Sequence, residues 1–100
     1  MTRKLLLKEL EKRFEKRFGI GNEVRLLEQI CIIRDPFSGN GYMDAIRYDG
    51  VGLGFSYYEN FWGGGWKSDK KIWDKYGIRA LCDCLGLKVR KRVEYFIDGD

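Results

Sequence analysis

The chain of 100 residues contains no histidine, one proline, three cysteines and very few side-chain amides. Each scarcity excludes something. Without histidine there is no Ser–His or Cys–His nucleophile pair, no imidazole acid or base, and no use of the commonest metal ligand. No apolar run approaches the ~20 residues needed to cross a bilayer, so no membrane partner is expected. The first residues, Met-Thr-Arg-Lys, lead straight into alternating charges. They show no hydrophobic segment of a secretory signal, and an intracellular protein is expected. The cysteines are Cys31, Cys82 and Cys84. An odd, small number suits a reducing compartment, with an internal or intersubunit disulfide as the alternative. Cys82 and Cys84, two residues apart on a helix, point in different directions and cannot grip one metal ion.

What is present describes a folded domain. Hydrophobic residues make up 44% and charged residues 34% of the chain. A single α+β domain over 1–100 is expected, with 98–100 as a frayed polar tail. A chain of this length buries only ~60–65% of its unfolded surface, so its core is modest. Abundant Lys, Arg and Glu with few amides is the trend of hyperthermophile proteins; 13 glycines and one proline run against it. The net charge is +4. Basic residues exceed acidic ones by two in each half, so any positive patch must come from folding and not from a tail.

The pattern along the chain predicts the order α-β-β-β-α-β, a mostly antiparallel sheet with two helices on one face. Thr2 caps a first helix whose Leu6 or Leu7, Leu10, Phe14 and Phe18 recur at helical spacing before Gly19. Lys4, Lys8, Lys12 and Lys16 form a row on its other face, with Glu9–Arg13 as an i, i+4 pair. Residues 24–34 read as one strand, buried toward its apolar end ICII, with a short helix as the alternative. Then 42–48 and 51–58 read as a hairpin turning at Asp49-Gly50. This places Val51, Leu53, Phe55 and Tyr57 on one inward face. Ser68-Asp69 caps a second helix, 69–85, whose stripe is Trp73, Tyr76, Ala80, Leu81, Cys84 and Leu85. Gly77 interrupts it and suggests a break, and Gly86 ends it. Residues 87–97 read as the last strand, with Lys88, Arg90 and Arg92 on one side.

Three stretches carry the functional signal. VGLGFSYY, residues 51–58, resembles the third-strand motif of RNA-recognition motifs, in which glycines alternate with rings that stack on bases. Gly52, Gly54, Phe55 and Tyr58 match it; Val51 and Leu53 replace its basic and aromatic positions, and that family opens with a strand where this chain opens with a helix. KVRKR, residues 88–92, is the densest charge; on a strand its bases stand ~6.6 Å apart, near the phosphate repeat of an extended single strand. Its alternative role is protection of a sheet edge. The CLGL turn within 78–97 resembles the middle of a helix-turn-helix, an alternative to the strand reading there. Between these lies Gly63-Gly64-Gly65, flanked by Phe61, Trp62 and Trp66 and followed by Lys67, Lys70 and Lys71.

The leading expectation is a non-catalytic module that binds DNA or RNA. Tyr58, Trp62 and Trp66 would stack on bases, and Lys67, Lys70, Lys71, Lys88, Arg90 and Arg92 would hold phosphates. The alternative is a protein-binding module: a small inhibitor or adaptor of the kind viruses encode, or the subunit of a homodimer. An enzyme using paired carboxylates is the third reading. No phosphate-cradling loop, dinucleotide fingerprint or calcium loop occurs, and no cofactor or metal is expected.

Overall fold

In the computed structural model, which describes residues 1–27, 30–33, 44–58, 65–92 and 94–99, the first helix forms where its spacing predicts. α1 spans Arg3–Phe18. Thr2 Oγ1 accepts a hydrogen bond from the Leu5 N–H at 3.2 Å. Gly19, at φ 83°, ends the helix and donates its N–H to the Glu15 carbonyl. Leu6, Leu10, Phe14 and Phe18 are buried, while all four lysines of the row are exposed.

The main sheet contains β1 (Val24–Leu27), β2 (Ile30–Ile33), β3 (Ala45–Tyr48), β4 (Phe55–Tyr58) and β5 (Trp66–Lys67). Its order is β2-β1-β3-β4-β5, and every neighbouring pair is antiparallel. The architecture is therefore α+β with a mostly antiparallel sheet, as the pattern predicts. The single strand expected over 24–34 is instead two strands, with Val24 opposite Ile33 and Leu26 opposite Cys31. Apolar composition does not report where a chain reverses, because one long buried strand and two short ones use the same residues. β2 ends the strand order, and its Ile32 and Ile33 are exposed.

A second correction concerns 49–54. Tyr48 pairs with Phe55, so the connection is six residues long and not an Asp49-Gly50 turn. Gly50, Gly52 and Gly54 have φ of 104°, 90° and 73°, a left-handed backbone that a strand does not follow. Val51 and Leu53 leave the inward face and are 89% and 74% exposed. The likeness to the RNA-recognition strand ends there: Gly52 and Gly54 lie off the strand, and Phe55 is buried in the core.

The second helical rod begins at Asp69, whose carboxylate accepts from the Ile72 N–H at 3.1 Å. It runs through α2 (Lys70–Ile72), a π-helical turn (Trp73–Gly77) and α3 (Ile78–Leu85). It does not break at Gly77, which keeps right-handed helical angles of φ −68° and ψ −45°. The glycine is there for room: a Cβ on it would stand 1.9 Å from Cε3 of Trp73. The wider π turn and the missing side chain together seat the indole over the helix's own backbone. Tyr76, expected inside, is 39% exposed and stacks on Tyr57 at 6.4 Å. Gly86 closes the rod in the left-handed conformation.

The last segment is not one strand and not the second half of a helix-turn-helix. It is a ribbon of β6 (Val89–Lys91) and β7 (Tyr95–Ile97), with Arg90 opposite Phe96. The Lys91 ammonium lies 5.4 Å from the centre of the Tyr95 ring, the contact expected of a cation over an aromatic face. Asp98, in the tail, donates its N–H to the Lys88 carbonyl.

One cluster gathers the buried apolar residues. Phe55 touches Phe14 of α1, Tyr48 of β3 and Trp73 of the π turn, at centroid distances of 5.3, 5.2 and 5.5 Å. Both helices therefore lie on one face of the sheet. Each buried ring contributes roughly 2–3 kcal/mol. A disulfide from Cys31 on β2 to Cys84 on α3 joins the same two layers.

Two outcomes follow. Replacing Gly77 by alanine forces the Trp73 ring to move and should cost about 1–3 kcal/mol by overpacking, read as a lower urea midpoint at unchanged slope. The disulfide closes a sequence separation of 53 residues, so its reduction, or the Cys31→Ser variant, should remove about 4 kcal/mol by loop entropy. A urea titration with and without dithiothreitol measures the difference; equal midpoints would contradict it.

Candidate nucleic-acid interface

Strand alternation divides the sheet into two faces. Val24, Ile46, Tyr48, Phe55 and Tyr57 turn toward the helices and are buried. The opposite parity forms an outer face. Its residues line up in cross-strand register: Ile32 opposite Arg25, Arg25 opposite Ala45, Ala45 opposite Tyr58, and Tyr58 opposite Trp66. A single row thus crosses all five strands. Arg47 and Ser56, opposite one another, form the next row.

Trp66 is half-buried at the end of the row. The Arg47 guanidinium sits 4.2 Å from the centre of its ring, and the Tyr58 ring lies 5.6 Å away. Arg47 is held in that position from behind: its Nε donates to Asp49 at 2.5 Å, and the other oxygen of Asp49 accepts from the Ser56 hydroxyl. Aromatic rings next to a planar guanidinium are the elements that stack on nucleobases.

The remaining predicted residues are spread over the molecule. Trp62, with Phe61, lies outside the described residues. Lys67 is exposed, but it pairs with Tyr57 and so stands on the helix side of the sheet, away from Trp66. Lys70 is engaged by Asp74 at 2.5 Å, and Arg3 reaches the same carboxylate at 2.5 Å. The hydrogen bond from Lys70, and after it that from Arg3, holds the Asp74 carboxyl below its usual range. Lys71 is exposed on α2. Lys88, Arg90 and Arg92 are exposed on the β6–β7 ribbon, a separate sheet, where Arg90 pairs with Asp98 at 2.5 Å. The lysine row of α1 looks away from the sheet. Of the eight described residues expected to bind, the outer face brings together Tyr58 and Trp66.

It adds two that sequence reading passed over, Arg25 and Arg47. The signal for Arg25 was a charge inside the apolar stretch VRLL. For Arg47 it was the parity of AIRY, which puts the arginine opposite in phase to Ile46 and Tyr48. Arg25 is only 9% exposed. Its Nη2 is buried with no hydrogen-bond partner, and the described residues offer it no ion pair.

Among the described residues no group of three or more His, Cys, Asp or Glu is placed to hold a metal ion. Likewise, no helix is long and apolar enough to cross a membrane. No protein-family model, curated protein or solved structure matches the chain.

Cys82 is the one cysteine outside the disulfide and is buried. Burial, and after it the nearby Asp83 charge, pushes its thiol up to about 11. Since only the thiolate reacts, Ellman's reagent at neutral pH should detect almost no thiol in the native protein and one equivalent in denaturant. Rapid native labelling would contradict this environment.

Proposed function

We propose that the protein is a non-catalytic module that binds single-stranded nucleic acid on the outer face of its sheet. Tyr58 and Trp66 stack on bases, and Arg47 supplies a planar cation beside them. The observation that supports this reading most directly is the half-buried Trp66 with the Arg47 guanidinium 4.2 Å from its ring centre. Such stacking tolerates any base, because every base has a π face, and its strength is about 1–3 kcal/mol per base. The net charge of +4 favours an anionic partner at long range. The dispersed cations on α1 and on the β6–β7 ribbon act through that field and not as contacts.

A second reading, a protein-binding module, has its own support. Val51 and Leu53 project from a glycine loop, and the half-exposed Ile20 packs near Gly50. Exposed apolar residues grouped at one corner mark interaction surfaces.

Titration of fluorescently labelled oligothymidylate and oligouridylate, followed by anisotropy, separates the two. Nucleic-acid binding predicts saturable anisotropy at about 50 mM salt and a fall of roughly tenfold or more by about 200 mM, as counterion release requires for a few phosphate contacts. Trp66→Ala should weaken it by about 5- to 100-fold, the equivalent of one lost stack. No binding at low salt to either strand overturns the reading and leaves the loop at Val51 and Leu53 as the better surface.

A further inference from the structure

We propose that the cleft between α3 and the β6–β7 ribbon binds a small aliphatic carboxylate, its chain on an apolar floor and its head among cations at the rim. This site shares no residue with the face that carries Tyr58 and Trp66, and it stands whether or not that face binds nucleic acid. The cleft arises from the way the chain leaves the helix. Gly86 turns in the left-handed conformation, and the Leu87 N–H donates to the Cys82 carbonyl, so that the ribbon lies beside the rod. The ribbon's other strand is held by Ile97 in the core and by the Met1 ammonium, which donates to the Tyr95 carbonyl. Between the two walls remains a volume of about 570 Å³, within the range of about 300–1,000 Å³ of small-molecule sites.

The floor comes from both walls. Ile78 and Cys82 stand one helical turn apart on the rod, and Leu87 and Val89 line the ribbon side. Leu87, Val89 and the neighbouring Tyr95 are only half-buried, so the floor is open to solvent. The Cys82 thiol, pushed up to about 11, stays neutral and acts as a small apolar group. Aliphatic side chains and a neutral thiol offer a base or a sugar almost no hydrogen-bond partners, but they suit a hydrocarbon chain. The rim selects the head. Arg79, Lys88 and Lys91 are exposed there, with Asp74 and Asp83 as the acids. Asp74 is already matched by Arg3 and Lys70. Among the described lining residues, three cations therefore face one unmatched carboxylate. Contact with the Tyr95 ring keeps the Lys91 ammonium at the edge of the cleft. That excess attracts an anionic head and repels a cationic one.

The test titrates the whole protein with decanoate, kept below its micelle concentration, and reads amide chemical shifts and calorimetric heat. The shifts should saturate and cluster over residues 78–89 and at Tyr95. Decanoate should bind roughly tenfold more tightly than octanoate, because two further methylenes leave water. It should also bind about tenfold more tightly than decanol, which has the chain without the charge, and decylammonium should bind more weakly still. Lys88→Glu combined with Lys91→Glu, both at exposed positions, should weaken decanoate about tenfold or more and leave decanol unchanged. Leu87→Asp should abolish binding of both; where that variant folds poorly, the chain-length series tests the floor in its place. The absence of a saturable response to decanoate overturns the proposal. So does equal affinity for decanoate, decanol and decylammonium, which removes the cationic rim from recognition. Saturable shifts confined to Ile20, Val51 and Leu53 overturn it too, since they put the chain at the exposed apolar corner instead of the cleft.

Discussion

Phe55 is the contact on which the rest of the structure depends. It meets α1 through Phe14, β3 through Tyr48 and the π turn through Trp73. These three contacts fix both helices to the same face of the sheet. Because side chains alternate along a strand, committing Phe55 and Tyr57 to the interior commits Ser56 and Tyr58 to the other side. The outer face is therefore a consequence of the core. A slip of one residue in β4 would exchange the two sets and bury Tyr58 where Tyr57 now packs.

The devices that hold this arrangement are local and few, as a chain of this size requires. Gly77 removes a side chain so that Trp73 can lie against the helix, and the π turn widens the rod at the same place. The disulfide ties β2, at one end of the strand order, to α3. Met1 adds a further tie: its ammonium donates to the Tyr95 carbonyl at 2.7 Å and pairs with Glu94 at 3.2 Å. That anchors the short β6–β7 ribbon to the start of α1. A two-stranded ribbon is marginal by itself, and here Val89, Tyr95 and Ile97 join the common core.

Charge is arranged in the same economical way. Several cations that look available in the chain are matched: Lys70 and Arg3 by Asp74, Arg90 by Asp98, and Arg13 by Glu9. Exposed pairs of this kind add little stability, but they remove the charge from the surface that a ligand would meet. Density of Lys and Arg along the sequence is thus a poor guide to where an anion binds.

The α1 boundaries, its buried stripe, the Asp69 cap and the glycine ends of both helices could be read directly, because helix signals are local and have a period of 3.6 residues. The α+β class and the inward turn of Phe55 and Tyr57 were equally legible from alternation. Tertiary structure decided the rest. Apolar runs at 24–34 and 87–97 do not announce where they fold back, since the reversal is set by the partner strand. Glycines at positive φ took Val51 and Leu53 out of an alternation that looked continuous. The outer row from Arg25 to Trp66 joins residues up to 41 positions apart in the chain, through three registers that no local pattern encodes. Pairing across strands is a long-range choice, and so the residues that share a face there become neighbours only once the sheet has closed.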